Sequence, residues 1–351
     1  MSRIGVIDEA RLRHLPEKYH AAHEFCFHLH DQMAALLVEM ESTGANEVSV
    51  SLSDESERDL LESSESVIDF LNSTGRSKFA DRAILNTINM VLFSDMLHFL
   101  YEALISLEKK KFTVALSLMR KPLKEGFILA SWICADEAEF LENLKLDPAK
   151  TFDQGEISPE KKISLIEGAK GKCKGSDFIA SDQIYSIIYD RKNEYGLAPL
   201  FDKATHLVTR NPHIATEQLN INFIFKNPLD NDIYENIYAD LAKTLMFMNL
   251  IQIELYSRMG AVKEKYKNWL LLTSLGVYGA IFLKGRPPLL RFVNSTMKEF
   301  MNCPGCDTAF KIRKAEAPSF FIRETVTCRE YGMEHHFPLG WLLSKVEWTL
   351  E

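Results

Sequence analysis

Cys303-Pro304-Gly305-Cys306 sets two thiols two residues apart, with a glycine that permits a tight turn. Two thiolates at this spacing can face one Zn²⁺. After a further 21 residues comes Cys328, preceded by the alternating run Ser319–Cys328, which predicts a strand. The second turn, Cys328-Arg329-Glu330-Tyr331, lacks a second cysteine. His335 is the favoured fourth ligand and His336 the alternative. Four protein ligands leave no open position, so a zinc bound by Cys303, Cys306, Cys328 and His335 would be structural. A degenerate, metal-free module is the competing reading.

Three other groupings carry chemistry. Arg120, Lys124 and Glu125 interrupt an apolar helix around Pro122. With His206 they form a candidate catalytic pocket, in which an arginine holds a phosphate and the histidine moves a proton. The same charges also suit a solvated face, with Lys121 and Glu125 paired four residues apart. His23, Cys26 and His30 share a helix face, a second metal geometry and equally an ordinary packing face.

Charge supplies the third grouping. The net charge of −8 conceals opposite local balances. Between Glu41 and Asp69 there are nine acidic residues and one base, Arg58. From Ser257 to Lys298 there are eight bases and one acid, Glu264. In the latter, Lys263, Lys265, Lys267, Lys284, Arg286 and Arg291 are candidate contacts to RNA or single-stranded DNA, with Tyr266, Trp269, Tyr278, Phe282 and Phe292 as stacking rings. A solvated rim, and masking by the acidic segment, are the alternatives.

Helices must position these groups. Apolar residues at steps of three and four run through Arg82–Leu144, predicting an antiparallel helix pair broken at Glu108–Lys111 and kinked at Pro122. Phe99, Leu104, Met119 and Phe127 are its expected core. A helix up to about Met40, a strand at Val48–Leu52, a helix from the Ser53–Ser56 caps through Leu71, and helices at Pro159–Glu167, Ser181–Tyr189 and Asp232–Arg258 follow from the same patterns, as does a strand at Asn220–Phe225. Trp269–Leu283 is uncharged for 15 residues, short of the roughly 20 that span a bilayer, and reads as a buried helix rather than a membrane segment.

The expected fold is therefore mainly α: a helical bundle with a few short strands and a small C-terminal β-containing module. Four segments are expected: 1–80, an N-terminal helix and acidic stretch; 81–258, the central bundle; 259–300, a basic and apolar connection; and 301–351, the cysteine module. Six cysteines without a recognisable export signal point to thiols or metal ligands in a cytoplasmic protein.

Cys303–Phe337 resembles a zinc ribbon, departing from it at the fourth ligand. Val114–Ile133 (VALSLMRKPLKEGFILASWI) and His206–Phe225 (HLVTRNPHIATEQLNINFIF) resemble a group of uncharacterised bacterial helical proteins, which more distantly resemble HEPN-type bundles. This resemblance covers about Arg82–Arg258. It implies a nucleic-acid-linked protein, such as an RNA-directed effector of a toxin or phage-defence system. HEPN ribonucleases use an arginine followed after four to six residues by a histidine. Here Arg13/His20 has Pro16 between its members, Arg329/His335 falls inside the cysteine module, and Arg210/His213 is too closely spaced. The alternative is a non-enzymatic scaffold using the ribbon and basic segment to contact a protein partner or a second copy.

Overall fold

In the computed structural model the chain is mainly α, with a two-stranded antiparallel sheet near its C-terminus. The structure describes residues 3–210, 215–216, 231–260, 262–299 and 301–345. The expected strand Asn220–Phe225 lies outside them.

A short turn, α1 (Glu9–Leu12), precedes α2 (His20–Ser42). The acidic stretch forms α3 (Glu55–Ser63) and α4 (Val67–Ser73). No strand forms at Val48–Leu52, and the single helix expected through Leu71 is two, because Ser66 caps a second start by accepting the Asp69 amide. Then come α5 (Ser77–Glu108), α6 (Phe112–Arg120), a π-helical turn (Lys121–Gly126) and α7 (Phe127–Ala135). Next are α8 (Glu137–Leu146), α9 (Pro148–Phe152), α10 (Pro159–Lys172), α11 (Ser181–Ile188) and α12 (Leu197–Thr205). The C-terminal half contains α13 (Asp232–Arg258), α14 (Glu264–Phe282), α15 (Pro288–Thr296), α16 (Ala317–Arg323), β1 (Thr325–Thr327), β2 (Glu334–His336) and α17 (Leu339–Lys345).

The central pair is present, joined at Lys109–Lys111, with Leu104, Met119 and Phe127 fully buried. Phe99 is not core. It is half-buried at the rim, where the Lys121 ammonium lies 4.8 Å from its ring centroid, and Phe93 occupies the interior instead. Pro122 has no N–H to give, and the helix absorbs this as a π turn: the Phe127 amide reaches back five residues to the Pro122 carbonyl. The wider turn aligns residues five apart. Arg120 therefore pairs with Glu125 at 3.4 Å, while Lys121 pairs with Asp95 at 2.8 Å, in place of the expected Lys121–Glu125 pair.

α2 packs on α5 and α13, and α14 packs on α2, α13, α15, α16 and α17. One continuous cluster of buried apolar side chains runs from Ile4 to Leu343, so all four sequence segments contribute to it. The N-terminal strap is fastened by the buried Glu24 carboxylate, which accepts the amides of Ile4, Gly5 (2.8 Å) and Val6 (3.0 Å). α5 is the helix, among the described residues, long and apolar enough to cross a membrane by length and composition; 44% of its most apolar window is buried within the fold. Leu270–Leu272 and Val277–Ala280 of α14 are interior, as expected of a buried helix.

Candidate metal centre

The two cysteine turns have the same backbone plan. In the first, the Cys303 amide donates to the Thr308 carbonyl (2.9 Å) and the Asp307 amide to the Cys303 carbonyl (2.8 Å). In the second, the Cys328 amide donates to the Met333 carbonyl (2.8 Å) and the Gly332 amide to the Cys328 carbonyl (2.7 Å). The left-handed residue falls at the same place in both, Asp307 (φ 55°) and Gly332 (φ 68°). In the second turn the Glu330 and Tyr331 amides reach the Cys328 sulfur. Superposing the two plans puts Tyr331, not cysteine, at the counterpart of Cys306.

α14 and α15 seat this module. The Asn294 side chain of α15 donates to the Ile312 carbonyl (2.9 Å) and accepts the Ile312 amide (2.9 Å). Phe320 and Phe321 of α16 are buried, and Phe321 lies so close to Gly276 of α14 that a Cβ there would sit 2.6 Å from its ring. This burial overturns the strand expected over Ser319–Cys328: Ser319–Ile322 are helical, and Phe320 and Phe321 are both buried, whereas a strand would point consecutive side chains to opposite faces. Glu324, left-handed at φ 55°, ends α16 and admits only the short β1. β1 then pairs with β2 in the register Val326 opposite His335.

The three sulfurs of Cys303, Cys306 and Cys328 lie within 4.8 Å of one another, the one such metal-capable group among the described residues. Cys306 and Cys328 are 3.6 Å apart, and His335 Nε2 is 3.4 Å from Cys303 Sγ. A tetrahedral zinc with ordinary bond lengths separates two sulfurs by about 3.8 Å and a sulfur from a nitrogen by about 3.6 Å. The three thiols are close enough together to hold a metal ion. Strand alternation sends the two histidines to opposite faces: His335 is half-buried against Phe310 and meets Cys303, though it does not join the group of three sulfurs, whereas His336 is exposed and points to Glu324 (Nε2 to Oε2, 3.7 Å). The Thr308 side chain, 3.3 Å from Cys306 Sγ, and its amide lower that thiol from its ordinary value. Cys328 is raised: the Tyr331 amide acts to lower it, but burial and the neighbouring thiols outweigh that effect. Thiols crowded in this way share protons, and a divalent cation replacing them relieves the crowding.

The His23, Cys26 and His30 face is occupied otherwise. His23, fully buried, contacts the Tyr238 hydroxyl (2.5 Å) and Glu108 (3.3 Å), and Glu108 also takes a forked interaction from Arg11. Cys26 is buried in the core and His30 meets Asp31 at 2.9 Å.

Around the π turn, Lys124 is 5% exposed and faces Asp202 of α12 at 3.9 Å; Arg191 holds the other Asp202 oxygen at 2.7 Å. Burial lowers the Lys124 ammonium from its ordinary value, partly offset by Asp202. His206 caps the C-terminus of α12 with its side chain exposed, one turn beyond Asp202. Asp202 had no marking in the sequence except its place one helical turn before that histidine.

The basic segment is divided. α14, at about 1.5 Å per residue, holds its two ends roughly 28 Å apart. Lys263 and Lys265 are exposed at one end; Lys284, Arg286 and Arg291 are exposed at or beyond the other. Lys267 is buried against Glu254 at 3.0 Å, and Arg258 also pairs with Glu254, at 3.1 Å. Tyr278 is buried and Tyr266 stacks on Trp269, so these rings serve packing. The acidic stretch packs through α4 on α5.

Comparison with protein-family models, with curated proteins and with solved structures returns no match.

Proposed function

We propose that this is a nucleic-acid-linked binding protein, acting in the cytoplasm, whose C-terminal module is knit by a structural zinc held by Cys303, Cys306, Cys328 and His335. The observation that carries the metal is the three sulfurs within 4.8 Å of one another, with His335 Nε2 against Cys303. Zinc supplies folding energy to a module whose sheet has only three residues per strand. Lys284, Arg286 and Arg291, exposed beside the α15 connection that enters this module, are the cations that neutralise phosphates. Lys263 and Lys265 form a separate, outlying contact. Lys267 stays with Glu254.

Two measurements test this. Metal analysis of the purified chain is expected to return about one zinc per chain. Binding of labelled single-stranded RNA and DNA across a salt series is expected to weaken, with a smaller salt slope, in K284E/R286E/R291E. Failure of the wild-type protein to bind either polymer sinks the nucleic-acid reading.

A second reading, ribonuclease action in the manner of HEPN proteins, draws on the charged π turn, because π turns recur at functional sites. In it Arg120 holds phosphate, Lys124 and Glu125 line the pocket and His206 transfers the proton. RNA left intact by the protein and by a His206→Ala variant alike removes it.

A further inference from the structure

A cleft of about 370 Å³ lies between the β1–β2 hairpin, the first cysteine turn and α17. Its walls include Phe310, Phe337 and Trp341, with Asn302, Pro304 and His336 at its edges. Trp341 is 61% exposed, although it sits on a helix whose Leu339 and Leu343 are buried. The Lys345 ammonium lies 5.9 Å from the Trp341 ring centroid. His335, the metal-side histidine, lines the same cleft from β2.

Resting on the nucleic-acid reading above, we propose that this cleft receives one unpaired base of a single strand. A base is flat, polarisable at its faces and polar at its edge, and the cleft repeats that division. Indole and phenyl rings offer stacking faces. The exposed Asn302 amide has both a donor and an acceptor, and the exposed His336 imidazole adds a ring nitrogen, so the polar edge of a base has partners. Lys345, its ammonium 5.9 Å from the Trp341 ring centroid, supplies a cation for the adjoining phosphate. An apolar peptide side chain would use the rings but leave the Asn302 amide and the Lys345 ammonium without a role. Stacking on the Trp341 ring needs a base whose face is not already covered by its neighbours in a duplex, so the preference is for unpaired strands. The metal turns hold the cleft's floor: Phe310 follows the first turn and packs on His335 at 5.4 Å between centroids.

The test uses the zinc-loaded full-length chain and labelled 12-residue oligonucleotides: single-stranded uridine and thymidine tracts, an abasic strand of equal length, and a duplex. Base stacking predicts that Trp341→Ala weakens single-strand binding by roughly five- to a hundredfold with an unchanged salt slope, and that Trp341→Phe restores most of it. The same two variants bind the abasic strand as the wild type does. Zinc content and melting temperature of both variants, measured alongside, report whether the module is intact; Trp341→Phe keeps the question open to decision if Trp341→Ala fails to fold. Wild-type binding that neither variant changes, or equal sensitivity on the abasic strand, overturns the cleft while leaving the cationic surface standing. Absence of any binding by the wild type overturns the underlying reading as well, and a response of Trp341 fluorescence to an apolar peptide but to no oligonucleotide assigns the cleft to a protein partner instead.

Discussion

Cys303 Sγ and His335 Nε2 are 3.4 Å apart, although 32 residues separate them and one belongs to a turn while the other belongs to a strand. The β1–β2 register creates this meeting, since it turns His335 inward and His336 outward. His335→Ala is therefore expected to lower zinc affinity by at least tenfold, and His336→Ala to leave it within about twofold. Competition with a chromogenic chelator measures both. Equal losses would make the strand register irrelevant to the site.

Thiol reactivity separates the six cysteines. Cys306 is exposed and its thiol is lowered by Thr308, whereas burial raises Cys26, and contact with Cys134 followed by burial raises Cys173. Zinc-stripped native protein treated briefly with a maleimide at pH 7.5 is expected to be modified first at Cys306, with Cys26, Cys134 and Cys173 protected until denaturant is added. Zinc should slow the reaction at Cys306. Peptide mass mapping reads both effects.

Phe93 and Phe99 lie on one helix and differ in what truncation removes. Phe93 is fully buried and meets Tyr256 edge-on at 5.8 Å, so Phe93→Ala is expected to cost about 3–5 kcal/mol. Phe99→Ala loses a half-buried ring and a cation contact, and is expected to cost about 1 kcal/mol. Urea unfolding of the two variants checks the order.

Lys267 belongs to stability rather than to a surface. Its ammonium pairs with Glu254, and both side chains are largely buried. Lys267→Glu places two carboxylates together in that setting and is expected to destabilise the fold by about 3–5 kcal/mol. Lys263→Glu and Lys265→Glu, at exposed positions, are expected to change stability by no more than about 0.5 kcal/mol. Thermal melting distinguishes them, and a Lys267→Glu protein as stable as the wild type would return Lys267 to the surface.

Acid should loosen the protein through His28. Burial lowers this imidazole from its ordinary 6.5 to about 4, and its Nε2 is buried without a hydrogen-bond partner. The unfolded chain thus takes the proton first as pH falls. Stability is full above about pH 6.5, declines as pH drops toward 4, and levels below that. The loss is at most about 3 kcal/mol from this group. His28→Leu is expected to flatten that part of the stability–pH curve, measured by denaturant titrations from pH 7 to pH 4.

The sequence by itself determined the helical class, because apolar spacing at three and four residues depends only on local geometry. It also marked Asp232–Arg258 at both ends and α14 at its C-terminal end, though α14 begins five residues before the apolar run, at Glu264. The first cysteine pair was legible for the same reason, since Cys303 and Cys306 are neighbours along the chain and a turn brings them together, whereas Cys328 joins them across 22 residues. Tertiary structure alone decided what lies across the chain. Nothing near Lys267 in sequence distinguishes it from Lys263 and Lys265; Glu254, on another helix, withdraws it from the surface. Phe99 fits the apolar stripe as well as Phe93 does, and only the placement of neighbouring helices sends one outward. Ser319–Cys328 reads like a strand, yet its first part, Ser319–Ile322, is helical, because packing against Gly276 outweighs a short pattern. The tilt from Lys121–Glu125 to Arg120–Glu125 follows from how the chain accommodates Pro122: an α turn places side chains four apart in line, a π turn five apart, and that choice is made by packing around the proline.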